Sequence, residues 1–258
     1  MTAEIKKDIG NITLNTGRGP LTVTIHDARA HEKTLTVNGF ELYPNQPTTL
    51  SRADFYNEEK ITGTYYKELE AAICQITGAT TAKCFVHRIR NSELQQDHLE
   101  TGRMSSDDNS RAPVLNYVHK IHTDYSVVQG NDLVEQVLGV EEAYTTNPAK
   151  RYKILNVWRN ISDTDVVLQN PLAVMDNQEL QLHSLHARHL MVKTDCDAPW
   201  YYYPQMDKKE ILTFVQYDST QDLTGLCFHT SFEIPSTKDA PTRESIETRL
   251  VVVYDDGI

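Results

Sequence analysis

The stretch VLNYVHKIH, Val114 to His122, is a short run of β-forming residues, and five more follow it downstream. They are KILNVW (Lys153 to Trp158), PWYYYP (Pro199 to Pro204), ILTFVQYD (Ile211 to Asp218), LCFHTSF (Leu226 to Phe232) and RLVVVY (Arg249 to Tyr254). Many short strands separated by turn residues predict a mostly β domain of sandwich or jelly-roll type. A short helix around Asp132 to Leu138, closed by Gly139, interrupts the strands.

Upstream, apolar and polar residues alternate from Asn11 to about Tyr43, as in LTVTIH (Leu21 to His26) and TLTV (Thr34 to Val37). Gly17-Arg18-Gly19-Pro20 and Asn38-Gly39 break the pattern, so strands and hairpins are expected. The period then changes. Ser51 with Asp54 forms a capping-box-like start, and Tyr65, Leu69, Ala72, Ile73 and Ile76 share one helical face that ends at Gly78. This predicts an amphipathic helix lying on the β scaffold. KCFVHRIR (Lys83 to Arg90) is again a strand, and the polar, aperiodic stretch 92–113 after it reads equally as a lid or as disorder. The expected organisation is a single domain over 1–258, with N-terminal strands and a support helix in 1–80 and a jelly-roll core in 81–258.

The 258 residues suffice for one sizeable core. With 36 acidic against 25 basic residues, the net charge of −11 and the lack of any basic run disfavour nucleic acid and anionic membranes. A neutral or cationic small molecule fits that charge better. Cys74, Cys84, Cys196 and Cys227 are widely spaced, which suggests reduced thiols rather than a disulfide framework or a thiolate zinc site. The N-terminus lacks an apolar signal stretch and no membrane span is apparent, so a cytoplasmic protein is expected, free to form a homo-oligomer.

The chemistry-bearing constellation is His122-Thr123-Asp124 with His229. Residues two apart in a strand face one side, so His122 and Asp124 can grip a metal while a distant strand supplies the third ligand. Two imidazoles and a carboxylate form the facial triad of non-haem Fe(II) oxygenases, which leaves positions open for a co-substrate and O₂. Downstream, Arg243 and Ser245 also share strand parity, and a guanidinium with a hydroxyl suits the far carboxylate of 2-oxoglutarate. Arg249 has the same parity and is a reserve anchor. Tyr117, Trp158, Arg159, Trp200, Tyr202 and Tyr217 are candidates for the substrate wall, as rigid aromatic surface with polar tips or, for Arg159, a carboxylate partner. His119 lacks a carboxylate two residues on and reads as an ordinary polar residue. His183, His186 and His189 repeat every third residue, which fits neither strand parity nor a helical metal pair, and read as a solvated face. No nucleophile elbow, P-loop or dinucleotide fingerprint occurs.

HKIHTDYS (His119 to Ser126), RYKILNVWRN (Arg151 to Asn160), PLAVMD (Pro171 to Asp176), PWYYYPQM (Pro199 to Met206), VQYDS (Val215 to Ser219) and FHTSFEIPSTKDAPTRESIETR (Phe228 to Arg249) occur in this order. Together they resemble the family of gibberellin A4 desaturase-like proteins, AsaB hydroxylase/desaturase and CmcJ. The resemblance spans about residues 80 to 254. It implies a double-stranded β-helix (jelly-roll, cupin-like) oxygenase that uses Fe(II), 2-oxoglutarate and O₂. Such an enzyme hydroxylates or desaturates, cyclises or epoxidises a small molecule of specialised metabolism. The Arg243/Ser245 element is similar to that of penicillin-synthase-like oxygenases, where it holds 2-oxoglutarate. The chain departs from the pattern at Asn160, where relatives carry proline, and in the His-rich 183–189 stretch. The rival readings are a catalytically inactive metal-binding β-barrel and a zinc hydrolase on the same fold.

Overall fold

The computed structural model describes residues 8–101, 112–139, 150–178, 185–186, 191–192, 196–220 and 226–255. Its first elements follow from turn and cap chemistry. β1 (Ile9–Asn15) and β2 (Pro20–Asp27) pair antiparallel across a turn in which Gly17 adopts φ 79. The TLTV segment is not a strand. Thr34 accepts a hydrogen bond from the Val37 N–H and caps helix α1 (Leu35–Asn38), which Gly39 ends at φ 80. A local side-chain cap has overridden the β propensity of four residues. β3 (Phe40–Tyr43) follows.

Ser51 and Asp54 hydrogen-bond each other as expected, but they close a 3₁₀ turn at Ala53–Tyr56. The helical run starts at Asn57, whose side chain caps α2 (Glu58–Lys60). It continues through a π turn, Ile61–Tyr65, into α3 (Tyr66–Thr77), which stops at Gly78 in the left-handed region. β4 (Thr81–Arg90) leads to α4 (Ser92–Thr101), so the aperiodic stretch begins as helix; 102–111 lie outside the described residues. Of VLNYVHKIH only β5 (Val114–Leu115) is a ladder strand. The rest makes single bridges, Lys120 to Asn15 and His122 to His229. Helix α5 (Val127–Leu138) opens with a capping box between Ser126 and Gln129 and ends at Gly139.

The remaining strands are β6 (Arg151–Asn160), β7 (Leu172–Met175), β8 (Leu185–His186), β9 (Met191–Val192), β10 (Trp200–Tyr202), β11 (Ile211–Asp218), β12 (His229–Ser231) and β13 (Ser245–Tyr254). They assemble into a larger sheet, β3-β11-β6-β13-β4-β5, and a smaller one, β1-β2-β10-β7-β12, with β8 and β9 paired apart. The N-terminal strands therefore extend both sheets.

Strand parity decides what each face carries. One face of the larger sheet presents Leu155, Val157, Ile246 and Leu250 to Leu69 and Ile73 of α3. Its other face turns Trp158, Leu212 and Phe214 toward Leu172, Val174 and Tyr201 of the smaller sheet. The smaller sheet's far side packs Ile25, Ala173, Met175, Trp200 and Tyr202 together. Two sheets with a shared inner layer form a sandwich of jelly-roll type. Across β6, β13 and β4 the inner rows are Asn160–Ser245–Arg90 and Trp158–Glu247–Arg88. Polar residues on an inner face imply a lined cavity rather than a dry core.

Candidate active site

The bridge between His122 and His229 builds the site. Each residue's N–H donates to the other's carbonyl, at 3.1 and 3.0 Å, which brings the ring centroids to 4.3 Å. Asp124 follows on the turn into α5, so His122 and Asp124 share a side through a bridge and a turn rather than through a ladder strand. The donor atoms of His122, Asp124 and His229 all lie within 4.8 Å of one another.

Each ring is oriented by its other nitrogen. Nδ1 of His122 lies 2.7 Å from the Lys120 carbonyl, and Nδ1 of His229 lies 3.3 Å from the Cys227 carbonyl. A carbonyl acceptor fixes the hydrogen on Nδ1 and leaves the Nε2 lone pair free. Nε2 of His229 is buried and has no hydrogen-bond partner among the described residues. Burial, with the His122 charge adding to it, holds the His229 pKa down to about 3, so the ring is neutral, as a metal ligand must be.

Asp124 is held on every side. Arg249 Nη2 donates to Oδ1 at 2.6 Å, Asn156 Nδ2 to Oδ2 at 2.5 Å, and the Asp124 N–H donates to Gln216 Oε1 at 2.8 Å. Burial and the Glu247 charge push the carboxyl's pKa up while Arg249 pulls it back. Gln216 also donates from its amide to the Cys227 carbonyl at 2.8 Å, tying the Asp124 turn to the strand that carries His229. Asn156, Gln216 and Glu247 escaped the sequence reading, although inner-face parity on β6, β11 and β13 marks polar residues there as unusual.

Arg243 sits just ahead of β13 and is 3% exposed. Its Nη1 donates to the Asn170 carbonyl and, at 3.1 Å, to Ser231 Oγ. The guanidinium lies 4.2 Å from the Tyr117 ring centroid and 5.6 Å from that of Trp158. Arg243 Nε and Ser245 Oγ are buried without partners among the described residues. Burial lowers the Arg243 pKa, and a carboxylate ligand would restore the balance.

The expected substrate wall divides. Tyr117 and Trp158 line the inner space beside Arg243. Arg159 faces the other way, because it neighbours Trp158 in the strand; it donates to the Tyr65 hydroxyl and to the Gln46 and Lys208 carbonyls. Trp200 and Tyr202 lie in the cluster on the smaller sheet's far side, and Tyr217 packs with Tyr152, Ile154 and Val134 of α5. Arg159, Trp200 and Tyr202 therefore turn away from the face that carries the ligand cluster. Arg249, expected as a reserve anchor, is instead engaged by Asp124, Glu247 and Tyr125. His119 stands edge-on to Tyr117 and outside the cluster. His183 and His189 lie outside the described residues, as does the His186 side chain.

A family model described as "Oxidoreductase/YMDC permease-like domain" matches residues 2–253. The alpha-ketoglutarate-dependent dioxygenase tstK of Talaromyces stipitatus is 30% identical over 248 residues, which is 90% of this chain and 84% of that protein. The chain belongs to the iron(II)- and 2-oxoglutarate-dependent dioxygenases. The hydroxylase/desaturase efuI of Hormonema carpetanum is 25% identical to this dioxygenase, covering 91% of the chain and 84% of efuI. The solved iron and alpha-ketoglutarate-dependent endoperoxidase NvfI superposes with a TM-score of 0.72 at 21% identity, over 97% of this chain and 92% of that one. This likeness establishes the double-stranded β-helix fold. No helix among the described residues is long and apolar enough to cross a membrane.

Proposed function

We propose that this dioxygenase hydroxylates or desaturates a small molecule of specialised metabolism, with His122, Asp124 and His229 as Fe(II) ligands and Arg243 with Ser245 as receptor for the far carboxylate of 2-oxoglutarate. The observation that carries the assignment is the buried, unpartnered Nε2 of His229 beside Asp124 and His122. A buried polar atom without a partner is costly, and a metal ion satisfies it. The nitrogen and oxygen donor set also suits Fe(II). When bound, the metal and its 2-oxo acid supply oxygen activation: one oxygen atom ends in succinate as CO₂ leaves, and the other goes to the substrate or to water.

The chain's own residues have separate tasks. The Lys120 and Cys227 carbonyls hold the imidazoles in register, and Gln216 fixes the distance between the Asp124 turn and β12. Asn156 and Arg249 prevent the Asp124 carboxylate from rotating. Tyr117 and Trp158 cover the Arg243 guanidinium and exclude water from its carboxylate partner. The expected setting is the cytoplasm, with neither nucleic acid nor membrane as partner.

Succinate formation from 2-oxoglutarate, in the presence of Fe(II) and O₂ and across a panel of small molecules, tests the reading. It should vanish in His122→Ala and Asp124→Ala. Activity without O₂ would favour a zinc hydrolase, and metal binding with no succinate from any substrate an inactive barrel.

A further inference from the structure

The overall charge of −11 favours a neutral or cationic ligand, but the inner face of the larger sheet carries the opposite sign. Arg88 and Arg90 share the face of Glu247 and Ser245 through the β4–β13 register. The residues that alternate with them turn outward: Ile89 to the core under α3, His87 to the Tyr66 hydroxyl. Arg243 and Arg249 join the same inner face. Among the described residues, the carboxylates that meet this row of guanidiniums are Asp124 and Glu247. Fe(II) and the 2-oxoglutarate dianion cancel each other's charge, so the excess of cations persists with both in place.

Arg88 turns its Nη1 back to the carbonyl of His87 at 3.0 Å, and two more of these arginines are already engaged. Arg249 is shared by Asp124 and Glu247, and Arg243 has an enclosed pocket of its own with Ser231, Tyr117 and Trp158. Arg90 differs. Among the described residues its guanidinium makes one hydrogen bond, from Nη1 to the Asn116 carbonyl at 2.6 Å, and no ion pair. Elsewhere Arg29, Arg52 and Arg151 each hold a carboxylate. Burial disfavours the Arg90 charge, Glu247 supports it, and Arg249 repels it. Asp124 on one side and Arg243 on the other both feel this guanidinium. Through the β4–β13 register Arg90 stands opposite Ser245, so it lies on the inner face beside the candidate co-substrate anchor. A half-buried cation on that face, with donors that no described residue takes up, is stabilised by an oxyanion, and a guanidinium fork matches a carboxylate best.

We propose that Arg90 is a specificity-determining residue that receives a carboxylate of the substrate, so that this dioxygenase oxidises an organic acid. The proposal rests on the metal and co-substrate assignment made above. It places the acid group beside β4 and turns the rest of the molecule toward the ligand cluster.

The test uses the full chain loaded with Zn(II) and 2-oxoglutarate. Binding of matched pairs, aliphatic, alicyclic and aromatic carboxylic acids against their own methyl esters, is followed by ligand-observed NMR. Acids should outbind their esters by about tenfold or more, the worth of a charged hydrogen bond. Arg90→Gln should remove that preference, and Arg90→Lys should keep part of it. Zn(II) and 2-oxoglutarate affinities should stay within about twofold of the parent in both variants. Esters that bind as well as acids, acids that bind Arg90→Gln as well as the parent, or no acid bound at all would each overturn the proposal. Loss of 2-oxoglutarate from Arg90→Gln would also overturn it, because Arg90 would then belong to the co-substrate anchor, with the dioxygenase assignment intact. A parent chain that binds neither Zn(II) nor 2-oxoglutarate would instead sink the assignment beneath it.

Discussion

Arg249 donates through one nitrogen, Nη2, to Asp124 Oδ1 at 2.6 Å and to Glu247 Oε1 at 2.8 Å, so a candidate metal ligand and a second buried carboxylate share a single cation. Burial alone would raise the Glu247 pKa, but Arg249 and other cations take it down to about 2, which keeps it ionised. Arg249→Met would leave that charge buried and uncompensated, at a cost of ~3–5 kcal/mol. It would also free Asp124 to rotate and weaken Mn(II) binding by about 10- to 100-fold. Adding Glu247→Gln should recover most of the stability and little of the metal affinity. Urea denaturation and Mn(II) titration of the single and double variants separate the two effects; recovery of both together would show that Arg249 acts on the metal only through the fold.

Arg243 should answer for the co-substrate alone. Its neighbours are carbonyl and hydroxyl oxygens and two aromatic rings, and it makes no contact with the ligand cluster. Arg243→Lys keeps the charge but loses the planar fork and the stacking on Tyr117, so the dissociation constant for 2-oxoglutarate should rise about 10- to 100-fold. Mn(II) affinity should not move. Calorimetry with each ligand decides it, and a lysine variant that holds 2-oxoglutarate normally would remove Arg243 as the anchor.

What could be read from the sequence was whatever repeats locally or is carried by residue type. The strands β2, β4, β6 and β11 and the helix ending at Gly78 were legible from alternation and caps, and spacing named His122, Asp124 and His229 as the candidate set that the fold brings within 4.8 Å. The TLTV segment was not, because one Thr34 hydrogen bond outweighed its alternating pattern. Nor was the true source of the His122/Asp124 geometry, which depends on a bridge to a residue over a hundred positions away. Arg159, Trp200 and Tyr202 were placed in the pocket by chemistry; strand parity relative to a partner sheet, which no single segment reveals, put them outside. Arg249 shows the same limit, since sequence gave its face and only tertiary packing gave it Asp124 as a partner.

The imidazole of His87 should make stability depend on pH. It is buried against α3, with Nδ1 2.9 Å from the Tyr66 hydroxyl and Nε2 3.2 Å from Glu58 Oε2, the latter without hydrogen-bond alignment. Burial lowers its pKa below 6.5, although the Glu58 charge opposes this. The unfolded chain therefore takes up the proton first as pH falls. The stabilisation is complete above about pH 6.5 and is lost as pH drops toward the folded-state value. His87→Gln, which can still bond Tyr66, should show a shallower fall in unfolding free energy between about pH 7 and 5. Parallel slopes for the two proteins would mean that His87 titrates alike folded and unfolded.

Gly130 lies within α5, where alanine ordinarily stabilises a helix by ~0.5–1 kcal/mol. Here the opposite is expected. A Cβ at Gly130 would stand 2.2 Å from Cδ2 and 2.6 Å from Cγ of Tyr217, so the helix packs directly on the ring. The ring cannot swing away easily, because its hydroxyl bonds the Asn131 side chain and it is buried in one cluster with Tyr152 and Ile154. Overpacking of this kind costs ~1–3 kcal/mol and outweighs the gain in helix propensity. The strain also has a route to the metal site, since α5 is joined to Asp124 through Tyr125 and the Ser126 cap. Gly130→Ala should therefore lower both the melting temperature and Mn(II) affinity. Tyr217→Leu in the same chain removes the clashing ring and should restore the affinity even if it forfeits some packing energy. An alanine variant that melts higher than the parent would show that α5 has room to move and that its seat on Tyr217 does not position Asp124.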